Sequence, residues 1–298
     1  MLMRPALAPL VVALVTIQVG ASRAAETCPA LFADGRAPSL TNPKLAARTL
    51  PLCFEAYAVL HSGLARAPLY AAERLTRASV ASARQVARVD AFHDEDRVPD
   101  DQRARLDDYV RSGFDRGHLA PAGDMPTGEA QAQSFSLANV VPQDRAFNRG
   151  LWAEIEESTR RLATRRGTLF VVTGSVFEGD STTAINGRVL VPTQLFKAIY
   201  DPARTEAGAY LAPNRADGAW RAVSLDALRA VAGLDAFPGV PADVKAVAMT
   251  LPEPHAASRD GEAGRHPRAH EETWQDWLGH ELARALRRAF RQVLRAIF

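Results

Sequence analysis

The stretch Gly113-Phe114-Asp115-Arg116-Gly117-His118-Leu119-Ala120-Pro121, followed by Asn139-Val140-Val141-Pro142-Gln143 and then by Asn148, Trp152 and Glu156, decides how this chain is read. Arg116 and His118 lie two residues apart, so on an extended strand both side chains point to one face. An unperturbed imidazole titrates close to neutrality and can take a proton, and a guanidinium beside it can grip a phosphate through two hydrogen bonds. Asn148 falls at an expected helix start, and Glu156, eight residues on, sits a little over two turns later on roughly the same helix face. One amide oxygen and one nearby acid are too few ligands for zinc or calcium but suit magnesium, which keeps several of its waters. A base, cations and a hydrated metal are what attack on a phosphodiester requires, because the diester's own charge repels nucleophiles. The purely structural alternative is a satisfied histidine at 118 and a helix cap at 148.

Taken together these residues resemble the DNA/RNA non-specific endonuclease family, the ββα-metal nucleases. The family pattern is Asp-Arg-Gly-His, then Asn-x-x-Pro-Gln-x-x-x-x-Asn-x-x-x-Trp-x-x-x-Glu, and every position is filled here, from Asp115–His118 to Asn139, Pro142, Gln143, Asn148, Trp152 and Glu156. The likeness runs over roughly residues 55 to 252 and includes Pro68-Leu69-Tyr70 and Val191-Pro192-Thr193-Gln194-Leu195-Phe196-Lys197. It implies a catalytic set of His118 as general base with Arg116, Arg88 and Glu156, and a metal held by Asn148. Arg116, Arg88, Asn139 and Gln143 would bind substrate, with Arg84 as second choice to Arg88, and Asp115 would be structural. The implied cofactor is Mg2+, with Mn2+ as the alternative, and the implied partners are DNA and RNA, cleaved with little sequence preference to 5′-phosphate products. The alternative function is a catalytically silent nucleic-acid-binding or interaction protein on the same fold.

The chain has 298 residues, of which 47% are hydrophobic and 23% charged, enough for a sizeable core in one large domain. Residues 1–24 carry Arg4 and an apolar run from Pro5 to Val19, too short to span a bilayer comfortably and ending in small residues, which predicts a signal peptide and a secreted or periplasmic protein. Losing Arg4 and Arg23 with that leader leaves 34 basic against 34 acidic residues, so any positive surface for nucleic acid must be local. Cys28 and Cys53 are the two cysteines, and in an oxidising compartment they are expected to pair and fasten an N-terminal arm, residues 25–54.

An endonuclease domain is expected over 55–252. Phe54–Leu60 and Pro68–Leu75 read as a strand pair at the sheet edge, Thr168–Phe177, Arg188–Tyr200, Gly208–Pro213 and Lys245–Leu251 as further strands. Leu151, Trp152, Ile155, Thr159 and Leu162 recur at helical spacing, and Ser224–Ala232 reads as a capped helix. The fold class predicted is α+β, a mixed or antiparallel central sheet with a ββα-metal unit and a C-terminal amphipathic helix. Residues 253–270 form a Pro/Gly/charge-rich linker, and 271–298 a basic amphipathic helix suited to an anionic membrane surface, a second copy of the chain, or packing on the domain. The absence of Gly-x-Ser-x-Gly, Walker and dinucleotide-binding patterns removes the main support for serine hydrolases and nucleotide-binding proteins.

Overall fold

The computed structural model describes residues 28–178, 182–217 and 219–254. The expected leader, nearly all of the linker and the C-terminal amphipathic helix lie outside the described residues. In chain order the main strands are β1 (Thr49–Cys53), β2 (Tyr57–Ser62), β3 (Ala67–Thr76), β4 (Asp115–His118), β5 (Val140–Gln143), β6 (Thr168–Val176), β7 (Gln194–Asp201), β8 (Glu206–Pro213) and β9 (Arg221–Val223). The helices are α1 (Arg77–Ala83), α2 (Gly128–Ser134), α3 (Ala153–Arg166), α4 (Leu225–Ala232) and α5 (Ala242–Ala246).

Seven strands form one sheet in the order β9-β8-β7-β6-β3-β2-β1, with every neighbouring pair antiparallel. The sheet lies between two apolar layers. Alternation sends Ala71, Val171, Leu195, Ile199 and Tyr210 to one face, where Trp152, Ile155 and Leu162 pack on them. It sends Ala72, Val172, Phe196, Ala198 and Leu211 to the other, where Leu225 and Leu228 of α4 and Phe237 cover them. The ends of α4 follow from its sequence: the Ser224 hydroxyl accepts the Ala227 amide, and Gly233 closes the helix in the left-handed region at φ 67°.

Three expectations about the frame are corrected. The N-terminal arm is part of the fold, because Thr49–Cys53 supplies the edge strand beyond β2 and Ser39–Leu40 pairs with Leu234–Asp235. Edge position suits Pro51, which has no N–H to donate, and it moves the Tyr57–Ser62/Ala67–Thr76 pair inward from the edge. Residues 245–251 are not a strand: Pro241 leads into the helix α5, and the Met249 amide then bonds the Ala207 carbonyl at 2.7 Å. The Arg188–Tyr200 run is two strands, Val189–Leu190 and β7, broken at Pro192. The Cys28–Cys53 disulfide forms as expected and ties the first described turn to β1 across a Cα separation of 6.0 Å.

Candidate active site

β4 and β5 make a two-stranded ribbon in which Asp115 faces Gln143, Arg116 faces Pro142 and His118 faces Val140. Gly117 is required there, because a Cβ would run into the Gln143 side chain. Beyond β5, Asp144 caps a short turn, its carboxylate accepting the Phe147 amide at 3.0 Å and its carbonyl the Asn148 amide at 2.8 Å. From Asn148 to Trp152 the backbone is a π-helical stretch, broken at Gly150 (φ −108°, ψ −108°), and only then does α3 begin. The uninterrupted helix expected from Asn148 to Glu156 is therefore corrected to a wider turn followed by α3, of the kind that occurs at functional sites.

His118 is buried against two phenyl rings, with centroids 5.2 Å from Phe92 and 5.0 Å from Phe135, which are themselves 4.9 Å apart. Each ring carries a guanidinium: Arg116 lies 4.3 Å over Phe92 and Arg88 lies 5.5 Å from the centre of Phe135. Arg116 makes no hydrogen bond or ion pair among the described residues, so its donors are available to a ligand. Arg88 is paired with the exposed Asp90 at 2.6 Å. Arg84, the second choice, is exposed at the end of α1 and makes neither contact. Burial, aided by Arg88 and Arg116, pushes the His118 imidazole down to about 3, well below the neutral titration its residue type suggested. Its Nε2 has no hydrogen-bond partner among the described residues. His118 is thus neutral and free to accept a proton.

Asp115 organises the other half of the site. Its carboxylate accepts the Asn148 Nδ2 at 3.1 Å and a bidentate pair from Arg149 at 2.8 and 3.0 Å, with Arg145 at 3.6 Å. With its amide nitrogen fixed, Asn148 keeps an Oδ1 that makes no hydrogen bond among the described residues. Glu156 on α3 makes no hydrogen bond among the described residues; burial pushes its carboxyl up to about 7, opposed by Lys197, Arg160 and Arg88 and reinforced by Asp124. Arg88 is a minor influence that lowers both the His118 and the Glu156 pKa.

Asn139 and Gln143 are fully buried, and this corrects the expectation that they touch substrate. Asn139 Oδ1 accepts the Ala120 amide while its Nδ2 donates to the carbonyls of Ala120 and Ser134, so the side chain shapes the β4–β5 connection. His93 is a surface side chain whose Nδ1 lies 3.1 Å from the Ala91 carbonyl oxygen.

Beneath Glu156 lies a set of buried charges that the sequence reading did not pick out. Lys197 Nζ donates to Thr173 Oγ1 at 2.6 Å and stands 3.8 Å from Glu73 Oε1, while Arg160 pairs with Asp124 at 2.8 Å. The signal was a lysine and a glutamate inside otherwise apolar strand runs, which the alternation places inward.

An amide oxygen and one unbonded carboxylate are the donors the site offers, and among the described residues no cluster of three or more His, Cys, Asp or Glu could hold a metal. That donor set fits a hard cation that retains most of its water.

Residues 39–243 match the DNA/RNA non-specific endonuclease family. The chain is 36% identical over 177 residues to Nuclease C1 of Cunninghamella echinulata var. echinulata, covering 54% of this chain and 70% of that protein. It is 34% identical over 206 residues to the Mitochondrial nuclease of Saccharomyces cerevisiae, covering 60% and 62%, and 31% identical over 208 residues to human Nuclease EXOG, mitochondrial, covering 62% and 56%. The first three curated relatives are spanned over 70%, 46% and 46% of their own lengths. Among solved structures, the EndoG/EndoGI complex contains a chain that superposes with a TM-score of 0.54 at 26% identity, over 62% of this chain and 84% of that one. The mitochondrial relatives overturn the expected secreted or periplasmic location. A leader with arginines, an apolar run and no acid is not specific enough to fix the destination.

Proposed function

Because the chain belongs to the DNA/RNA non-specific endonuclease family, we propose that it hydrolyses phosphodiester bonds of both DNA and RNA in a metal-dependent reaction, with little sequence preference and with 5′-phosphate products. The observation that carries this reading is the buried His118, its Nε2 without a hydrogen-bond partner among the described residues, on two phenyl rings that also carry Arg116 and Arg88, together with an Asn148 whose amide nitrogen is held by Asp115.

Arg116 and Arg88 grip the phosphate from positions stacked on Phe92 and Phe135, so the two rings fix the guanidiniums and the imidazole in one frame. In the free protein burial first, and those cations after it, suppress the basicity of His118. A bound phosphate offsets them, so the imidazole becomes a stronger base when substrate arrives. His118 then takes the proton from the attacking water. Asn148 is the residue that would hold a divalent cation, magnesium in preference with manganese as the alternative, and Glu156 would orient its waters. Such a cation would neutralise charge developing on the phosphate oxygens. Contacts to phosphate rather than to base edges account for the weak sequence preference.

The test is digestion of plasmid DNA and of total RNA with magnesium and then with chelator. Degradation of both with magnesium and of neither with chelator is expected. Retention of bound but uncut nucleic acid would return the chain to the alternative of a catalytically silent binder.

A further inference from the structure

The turn that carries Asn148 is tied to the central sheet by one side chain. Asn214 follows the last residue of β8, and its backbone amide bonds the Thr193 carbonyl at 3.0 Å. Its side-chain Nδ2 donates to the carbonyl of Pro142 at 3.0 Å and to that of Pro192 at 2.9 Å, while Oδ1 accepts the Asp144 amide at 2.9 Å. Both amide protons and an oxygen lone pair are therefore in use. Pro142 lies in β5 and Pro192 just before β7, and neither proline has an N–H with which its segment could bond to the other. A side chain with two donors and one acceptor takes over that work.

The connection continues to the site. Asp144, held by Asn214, accepts the Asn148 amide through its carbonyl at 2.8 Å and the Phe147 amide through its carboxylate at 3.0 Å. Asn148 then meets Asp115 at 3.1 Å. Two anchors thus converge on Asn148, Asp115 through its side chain and Asn214 through the backbone of its turn. The π-helical stretch with its break at Gly150 follows at once, and Phe147 of the turn packs its ring 5.5 Å from that of Trp152 at the start of α3.

We propose that Asn214 is a positioning residue for the reaction, setting the place of Asn148 relative to the sheet and hence the affinity of the site for a divalent cation. The inference rests on the reading of Asn148 as the metal-holding residue. Asparagine is the residue this geometry demands: aspartate keeps the acceptor but turns a carboxylate toward two carbonyl oxygens, and alanine leaves Asp144 N–H and both proline carbonyls unanswered.

The experiment uses the full chain with Asn214→Asp and Asn214→Ala, and with Asn42→Ala as a control for loss of an asparagine cap far from the site, where Asn42 Oδ1 accepts the Lys44 amide. Amide hydrogen exchange at Asp144 is read in the metal-free proteins, manganese binding by electron paramagnetic resonance, and cleavage against magnesium concentration. Both Asn214 variants are expected to exchange the Asp144 amide roughly ten- to hundredfold faster and to bind manganese about tenfold more weakly. Half-maximal cleavage should need correspondingly more magnesium, with KM for DNA unchanged and the rate recovered at high magnesium; Asn42→Ala should change none of these. If Asn214→Asp matches wild type in Asp144 exchange and manganese binding while wild type itself binds manganese, the inference alone is overturned. A wild-type protein that binds no manganese overturns the metal reading of Asn148 as well.

Discussion

On the face of the sheet covered by α3, the strands β3, β6 and β7 turn Glu73, Thr173 and Lys197 inward, each 2% exposed or less. On the face covered by α4, the neighbouring residues of the same strands are Ala72, Val172 and Phe196, equally buried and wholly apolar. The backbone is shared, so the difference belongs to what each face supports. Burying ionisable groups is costly unless they are paired, and here the cost falls on the face beneath Glu156. Burial, with Asp124 next to it, pushes Glu73 well above the usual carboxylate range, while Lys197 bonds Thr173 and faces Glu73. Of the three lysines in the chain, Lys197 and Lys245 are both buried against carboxylates, the second on Asp235 at 2.7 Å. These two lysines are internal counter-charges, whereas the cations proposed to meet phosphate are Arg88 and Arg116.

The comparison breaks most severely at Lys197. Lys197→Met leaves Glu73, Asp124 and Glu156 with Arg160 as their main cation and should destabilise the fold by about 4 kcal/mol in denaturant unfolding. Adding Glu73→Gln to that variant should recover most of the loss, since a neutral pair no longer buries an unmatched charge. A Lys197→Met protein as stable as wild type would show that the buried set is not electrostatically coupled. On the apolar face, Leu228→Ala should cost about 3 kcal/mol through the cavity it leaves, with cleavage per folded molecule unchanged. A drop in that specific rate would mean that the two faces are not functionally separate.

Smaller effects sharpen the contrast through pH. In metal-free protein Glu156 is raised to about 7 from its ordinary 4.5, so its contribution to stability is whole below pH 4.5 and fades as pH rises through 7. His118 is lowered to about 3 from 6.5, so its contribution is whole above pH 6.5 and is lost as pH falls through 3. Glu156→Gln should flatten the stability profile between pH 4.5 and 7, and urea midpoints across that range check it. In the same protein the His118 ring proton should keep its neutral chemical shift down to pH 5, and Arg116→Ala should move its titration upward. A His118 titration near 6.5 in wild type would remove the proposed coupling of base strength to phosphate binding.

The site motif was legible because it is local. Asp115–His118 and the spacing from Asn139 to Glu156 are short-range patterns, and the apolar repeat from Leu151 to Leu162 identified α3. The antiparallel sheet was within reach for the same reason, since its strands are apolar runs bounded by turns. What stayed hidden depends on contacts far apart in sequence. Nothing near Asn139 or Gln143 says that they are sealed inside. Glu73 and Lys197 are 124 positions apart in numbering, and only strand order brings them together. The π-helical turn begins at Asn148, which is bonded to Asp115, and follows Asp144, which is bonded to Asn214, both partners being distant in sequence. The edge strand β1 was disguised by Pro51, which its unpaired side tolerates. The 245–251 run lost its strand reading to Pro241 and to the buried Lys245–Asp235 pair.

The measurement closest to the central claim compares His118→Ala with wild type in magnesium-dependent plasmid cleavage and in plasmid binding. The account predicts a fall in cleavage of about 10²- to 10⁴-fold with binding nearly unchanged, because Arg116 and Arg88 still meet the phosphate. Turnover equal to wild type would contradict it.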